Sequence, residues 1–200
     1  MRIAVCISGQ LRKWKVGHDN QKWFWSTANY PDVQVDYFGH TWTYSGDRHG
    51  VSQPYINRDV NEEEFLEFAN AFKFKKVLFD DRRTTFFYNN DHWSSLFYSL
   101  SKSLMLKREY EIENNFTYDV VVKSRPDVVF DPGKHFEIPH LFDNCIHSTH
   151  GGTMSMEFNK FNFNDCVFLG NSYTMDLLTN LYFYRQAGIN ENTKGNKNIH

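Results

Sequence analysis

Three segments of the chain combine β-branched and aromatic apolar residues in the short runs that are typical of strands. The first run covers Arg2 to Ser8, the second alternates from Val33 to Phe38, and the third is the valine-rich run from Asp119 to Lys123. Apolar runs of this length, bounded by turn residues, predict strands buried in a sheet. The third run breaks at Arg125-Pro126, because proline has no N–H to donate to a strand ladder.

Longer segments with polar residues and a helical apolar period lie between the predicted strands. Asn61 precedes three glutamates, which predicts a helix with Asn61 as its N-cap. The clearest helix is predicted from His92 to Glu113, where neither Gly nor Pro interrupts the leucine spacing. We also expect a helix in the later part of residues 10–29, and another from about Tyr173 to Ala187 with Ser172 as its cap.

Several shorter elements are predicted from weaker patterns. Short strands are expected at Lys75 to Phe79, at Val128 to Phe130, around Cys145 to His147, and at Val167 to Leu169. Residues Tyr44 to Asp59 contain glycines, a proline and polar side chains, which favours a loop.

The alternation of strands and helices predicts an α/β fold with a Rossmann-type mixed, mostly parallel sheet flanked by helices. A chain of 200 residues is long enough for one hydrophobic core, and no linker or repeat divides it. We therefore expect a single domain over residues 1–187. Residues 188–200 are polar and rich in asparagine, which predicts a poorly ordered tail.

Composition and charge narrow the function classes. The chain has 22 Lys and Arg against 24 Asp and Glu, a formal net charge of -2, so it lacks the basic excess of a protein that coats nucleic acid. Aromatic residues make up 18% of the chain, enough to fill a core and also to line a pocket.

The cysteines favour a reducing compartment, and the hydropathy of the chain bears on membrane spans and signal peptides. Cys6, Cys145 and Cys166 are odd in number and lack zinc-ligand spacing, so neither a disulfide framework nor structural zinc is expected. No run approaches the roughly 20 apolar residues of a membrane helix, and the apolar run Ile3 to Ile7 is too short for a signal peptide. We expect a cytoplasmic protein without a membrane span.

Asp127 is the first candidate for chemistry, because it follows a buried strand at the edge where open α/β sheets bind ligands. A carboxylate there can hold Mn²⁺ or Mg²⁺ together with the phosphates of a substrate. Asp127 can equally cap the turn after Pro126 or pair with Arg125.

The segment after the first strand is a second candidate. In Ser8-Gly9-Gln10-Leu11-Arg12 the glycine permits a close backbone approach, and the arginine can bind a phosphate through two hydrogen bonds. The segment is neither a Walker loop nor GxGxxG, so a tight turn with a solvated arginine remains the alternative.

Two polar residues of the long helix could support a diphosphate or a ribose. Tyr98 and Lys102 are four residues apart and so share a helix face. A solvated surface stripe explains the same spacing.

Other candidates are single residues. Asp165 precedes an apolar run and could contact a sugar hydroxyl or act as a base. His147 or His150 could complete a metal site, and His40 and Trp42 could stack on a base or a sugar. Each also has a structural explanation, as a cap or as part of the core.

In order and spacing, several short motifs together resemble the small glycosyltransferases of the GT-A type that occur in bacterial surface-polysaccharide clusters and in bacteriophage and other viral genomes. The resemblance extends to about residue 185. It rests on Ser8-Gly9-Gln10-Leu11-Arg12, His40-Thr41-Trp42, Tyr110-Glu111, the segment from Tyr118 to Asp127, and the segment from Asn164 to Gly170.

The resemblance implies a transferase that uses a nucleotide-diphospho-sugar and a metal-binding Asp-x-Asp signature. Here that signature reads Arg125-Pro126-Asp127, so its first acid is replaced by arginine. The implied roles are a divalent metal at Asp127, a cationic contribution from Arg125, and donor or acceptor contact by Asp165, with Ser8, Gly9, Gln10 and Arg12 binding the donor. Outside these motifs, His150 is the expected second metal ligand, and Tyr98 and Lys102 are further expected donor-binding residues.

The expected reaction is departure of a nucleoside diphosphate and attack of an acceptor hydroxyl on the sugar. UDP-glucose is the expected donor only because it is common. If the chain is viral, the expected location is the host cytoplasm. The alternative is a non-catalytic carbohydrate-binding module, in which aromatic side chains stack on sugar rings and Asp127 is structural.

Overall fold

The first strand lies inside the sheet because it is apolar on both faces. The computed structural model describes residues 1–26, 31–47, 56–81, 83–85, 92–131, 146–148, 166–180 and 182–183. Ile3 through Ile7 are fully buried, as a continuous apolar run in a parallel strand requires. The strands are β1 Arg2–Ser8, β2 Gln34–Trp42, β3 Tyr44–Asp47, β4 Ile56–Asp59, β5 Lys76–Asp80, β6 Val120–Ser124, β7 His147–Ser148 and β8 Phe168–Gly170.

A mostly parallel sheet organises the described residues, which confirms the predicted α/β, Rossmann-like class. Its six strands have the order β5-β2-β1-β6-β8-β7. β1 pairs in parallel with β2 and with β6, and β2 pairs in parallel with β5. β8 is antiparallel to both β6 and β7, which makes this half of the sheet mixed, as expected.

Helices cover both faces of the sheet. They are α1 Trp14–Phe24, α2 Glu62–Phe72, α3 His92–Asn114 and α4 Ser172–Leu177. α1 and α2 pack on the face that carries Ile3, Val5 and Ile7, whereas α3 and α4 pack on the face of Ala4 and Cys6. The predicted cap is confirmed, because the Asn61 side chain accepts a hydrogen bond from the Glu64 N–H.

A buried polar cluster joins α3 to α4. Lys107 is fully buried and donates hydrogen bonds to Glu111 at 3.0 Å, to Ser172 at 2.6 Å and to Asp176 at 2.6 Å. Glu111 also accepts the Tyr118 N–H at 2.8 Å. Burial raises the pKa of Asp176. The cluster satisfies its own charges and fixes α4 on the sheet.

Two sequence predictions about local elements were wrong. Part of the expected loop over Tyr44–Asp59 is an antiparallel hairpin of β3 and β4. The helix after Gly170 is capped by Asn171 rather than Ser172, and it gives way after Leu177 to a 3₁₀ turn over Leu178–Asn180.

The strand expected at Val128 to Phe130 is also absent from this described segment, and α1 explains why. The buried Gln21 amide donates to the Arg125 and Val128 carbonyls, and Asn20 makes two hydrogen bonds with the Phe130 backbone. Side-chain amides therefore satisfy the backbone groups that a neighbouring strand would otherwise pair. The tail predicted over 188–200 lies outside the described residues.

Candidate functional site

A pocket lies at the point where the chain changes the face of the sheet. The connections through α1 and α2 use one face, and the connection through α3 returns on the other, so β1 and β6 lie at the topological switch point of the sheet. Open α/β sheets bind ligands at the carboxyl ends of the strands at such a point. The described walls come from the ends of β1, β2 and β6, from the segments that follow β1 and β6, and from α3, and they enclose about 170 Å³.

A glycine turn opens the pocket after β1. Gly9 has a φ of 131°, a backbone conformation that side chains disfavour. Its N–H donates to the His40 carbonyl at 3.2 Å. A Cβ at this position would also lie 3.7 Å from Cδ of Pro126, so the turn is packed against the segment that follows β6. Glycine thus sets the path of the chain into the pocket.

Gln10 orients Arg12 at the pocket wall. Its Oε1 accepts a hydrogen bond from the Arg12 Nε at 2.9 Å, a second from the Arg12 Nη2, and a third from the Gly46 N–H at 3.0 Å. Arg58 of the β3–β4 hairpin donates to the Leu11 carbonyl at 3.2 Å. The hairpin that the sequence pattern missed therefore holds the loop after β1 in place.

Cationic side chains reach the pocket from the segment after β1 and from β6 and the segment after it. Arg12, Lys123 and Arg125 line the pocket together with Asp127. Lys123 lies in β6 with a nearly fully buried side chain, and its Nζ donates to the Cys166 carbonyl at 3.3 Å. Lys123 belongs to the valine-rich motif, but sequence reasoning did not select it; a lysine inside a buried strand was the available signal.

Arg125 and Asp127 form a two-point ion pair in the segment after β6. The Arg125 Nε lies 2.9 Å from Asp127 Oδ1, and its Nη2 lies 2.6 Å from Oδ2. The pairing that sequence reasoning kept as an alternative for Asp127 is therefore present. The Arg125 side chain is 27% exposed and the Asp127 side chain is 21% exposed, so the pair lies at the pocket surface.

The described side chains do not by themselves make a site for a divalent cation. Asp127 is the one carboxylate in the described pocket lining, and both its oxygens already accept from Arg125. The described part of the chain contains no group of three His, Cys, Asp or Glu side chains suited to a metal. His150, proposed as a second ligand, and Asp165, proposed as a catalytic residue, lie outside the described residues.

Neutral side chains line the pocket from β2 and α3. They are Trp42 at the end of β2, and Ser95, Leu96 and Ser99 of α3. Behind this wall, the buried His40 ring lies 2.8 Å from the Ser99 Oγ through Nδ1 and 3.1 Å from Asp80 Oδ2 through Nε2. His40, Asp80 and Ser99 are far apart in sequence, so no local motif links the three.

Tyr98 and Lys102 lie beside this wall, and neither is among the described lining residues. The Tyr98 hydroxyl donates to Asp80 at 3.0 Å, and its ring stacks on Trp42. Burial raises the pKa of Tyr98 to about 12. The Lys102 Nζ lies 5.2 Å from the Tyr98 ring centre, a cation–π distance. Tyr98 therefore packs behind Trp42, and Lys102 packs on Tyr98.

Of the predicted donor-binding residues, the pocket brings together four, namely Ser8, Gly9, Gln10 and Arg12, with Arg125 and Asp127.

A comparison with models of known protein families finds no match, and a comparison with curated protein sequences finds none either. Within the described residues, no helix has both the length and the apolar composition needed to cross a lipid bilayer.

Proposed function

We propose that the protein transfers a sugar from a nucleotide-diphospho-sugar to a hydroxyl acceptor. The observation that carries this proposal is the pocket at the carboxyl ends of β1 and β6, whose described lining contains three cationic side chains and one carboxylate. A diphosphate supplies the negative charge that such a lining attracts, and the position is the one where open α/β sheets bind nucleotides.

The chemistry requires stabilisation of a leaving anion. The bond between the sugar's anomeric carbon and the diphosphate oxygen breaks, and the acceptor oxygen forms the new bond to that carbon while losing its proton. Charge collects on the departing nucleoside diphosphate. Arg12, Lys123 and Arg125 line the wall that would face it, and preorganised cations stabilise such charge more effectively than water does.

The size of the described pocket fits part of a donor. Its volume of about 170 Å³ is below the roughly 300–1,000 Å³ typical of small-molecule sites. We assign this space to the diphosphate and the adjoining ribose. The donor-sugar or acceptor contact proposed for Asp165 remains a prediction, as do the UDP-glucose donor and the cytoplasmic location.

Binding of a divalent metal ion at Asp127 is a separate hypothesis from binding of the diphosphate. A Mn²⁺ or Mg²⁺ ion at Asp127 would have to compete with Arg125 for both carboxylate oxygens. Arginine neutralises phosphate charge without a metal, through paired N–H donors. We therefore assign the described part of the charge stabilisation to the cations alone.

The carbohydrate-binding alternative gains no support from the described pocket. A sugar-binding module stacks its ligand on exposed aromatic faces. Trp42, the aromatic residue in the described lining, is only 2% exposed and is packed against Tyr98 and His40.

Calorimetric titration tests the proposal. The wild-type protein is titrated with UDP, GDP and their glucose conjugates, once with Mn²⁺ and once with EDTA. We expect one of the nucleotide families to bind, and Arg125→Met to weaken that binding by roughly 10- to 100-fold, because charged hydrogen bonds are lost.

Two further variants separate the contributions. Lys15→Met is the matched control, since Lys15 is exposed and pairs with Glu67 on the surface; its affinity should equal that of wild type. Asp127→Asn combined with EDTA reports on metal, because a metal site at Asp127 predicts loss in both. Failure of every nucleoside diphosphate to bind, with and without metal, would refute the proposed function.

A further inference from the structure

Three polar residues from separate elements form a chain of hydrogen bonds that ends at the pocket. Asp80 is the last residue of β5, His40 lies near the end of β2, and Ser99 lies on α3. His40 Nε2 is 3.1 Å from Asp80 Oδ2, and His40 Nδ1 is 2.8 Å from Ser99 Oγ. His40 and Ser99 are each 1% exposed, and Ser99 is among the lining residues, so the chain links a buried imidazole to the pocket wall.

The carboxylate determines the direction of every hydrogen bond in this chain. An ionised Asp80 can only accept, so the proton of the neutral imidazole lies on Nε2. The pKa of Asp80 is lowered, first by its hydrogen bond with His40, and burial lowers the pKa of His40. Nδ1 is then an acceptor, and the Ser99 hydroxyl must donate to it.

This direction fixes the chemistry that Ser99 presents to the pocket. With its proton on the 2.8 Å bond to Nδ1, the Ser99 oxygen turns lone pairs toward its remaining surroundings. A second neighbour, the His40 carbonyl, is more distant at 3.4 Å. Ser99 is therefore a hydrogen-bond acceptor, suited to a ligand O–H group rather than to a phosphate oxygen.

The elements that line the pocket identify the ligand group. In the strand order, β1 separates β6, where the lining residues Lys123 and Arg125 are cationic, from β2, which contributes Trp42. With the diphosphate on the cationic β6 side, the nucleoside lies toward Trp42 and toward Ser99 of α3. The part of a nucleoside next to its diphosphate is the ribose, which carries two hydroxyl donors.

We propose that Ser99 accepts a hydrogen bond from a ribose hydroxyl of the bound nucleotide and that His40 and Asp80 are positioning residues that orient it. This inference rests on the proposed function and adds a determinant of ribose specificity. It assigns the buried His40–Asp80 pair a role at the ligand.

The test is a cycle that combines a change in the protein with a change in the ligand. Affinities are measured for UDP and GDP and for their 2′-deoxy and 3′-deoxy forms, with wild type, Ser99→Ala and Ser103→Ala. Ser103 is the matched control, because it is a buried serine one turn along α3 whose hydroxyl donates to the Leu100 carbonyl.

We expect wild type and Ser103→Ala to bind one deoxy form roughly 2- to 10-fold more weakly than the parent nucleotide, the range for one neutral hydrogen bond. In Ser99→Ala this ratio should fall to about 1. His40→Phe should lower it as well while leaving the affinity for inorganic pyrophosphate unchanged, a separation that general damage to the fold would not produce.

The outcomes distinguish this inference from the function on which it rests. Equal wild-type affinities for the ribose and both deoxy forms would overturn the role of Ser99, and this result needs no variant. An undiminished ratio in Ser99→Ala would overturn it too. Absence of nucleotide binding to wild type would instead overturn the proposed function.

Discussion

A single methyl group on α1 should disturb the segment that carries the ion pair of the pocket. Gly17 faces the chain after β6, and a Cβ built on it would lie 2.0 Å from the Pro126 carbonyl oxygen and 3.2 Å from the Asp127 Cα. Ordinary contact begins at 3.4 Å, so Gly17→Ala requires a displacement of about 1.4 Å. The neighbouring atoms are backbone, and rotation of a side chain cannot relieve the clash.

Two opposing effects determine how much Gly17→Ala lowers the free energy of unfolding. Forcing an extra carbon into a packed contact costs about 1–3 kcal/mol. Alanine is better than glycine in a helix by about 1 kcal/mol, which offsets part of that cost. The displaced segment is also tied to α1 through Gln21, which donates to the Arg125 and Val128 carbonyls. The two effects leave a net loss of about 0–2 kcal/mol, and because Gln21 resists movement of the segment we expect the upper half of that range, about 1–2 kcal/mol.

Urea denaturation measures this loss, with Val16→Ala as the control. Val16 is on the same helix and 64% exposed, so its replacement reports helix propensity without a clash and should be neutral or slightly stabilising. Nucleotide titration of folded Gly17→Ala should show weaker binding, because Arg125 and Asp127 move. A Gly17→Ala variant as stable as Val16→Ala would refute the close contact and the reasoning built on it.

Three further perturbations test other parts of the structure. Lys107→Leu should cost about 3–5 kcal/mol in urea denaturation, because it leaves Glu111 and Asp176 without their buried cation; an unchanged midpoint would contradict this. Burial holds the pKa of His40 below 6.5, so its contribution to stability is complete above pH 6.5 and is lost as the pH falls toward the folded-state value. Melting temperatures between about pH 8 and 5 should therefore fall, and less steeply in His40→Phe. Asn61→Ala should cost about 1 kcal/mol, measured by the same denaturation, because the Glu64 N–H loses its cap.

The elements that could be predicted from sequence are those whose signal is local. β1 and β6 are continuous apolar runs, and α2 carries its cap and acidic first turn in adjacent residues. Both the segment after β1 and Asp127 were chosen because each follows a predicted strand, and parallel strands place their carboxyl ends on one edge of a sheet. The structure brings them into one pocket.

The features that could not be predicted depend on partners distant in sequence. Val128 to Phe130 has the composition of a strand, but Asn20 and Gln21, more than 100 residues earlier, satisfy its backbone. The hydrogen bond between Ser99 and His40 spans 59 residues, and no spacing in the sequence links the two. Such pairings are set by tertiary packing, which local propensity does not encode.

Asp127 illustrates how the position of a residue can be predicted while its chemistry stays open. Its place after β6 follows from the strand pattern. A carboxylate at this place can either bind a metal ion or pair with a guanidinium, and the sequence does not choose between the two. The bidentate contact with Arg125 makes Asp127 a partner that orients a cation. With Arg12 and Lys123 also on the wall, the lining carries more positive than negative groups, which favours an anionic ligand over a second cation. Binding measured in EDTA is consequently the observation that separates these two chemistries.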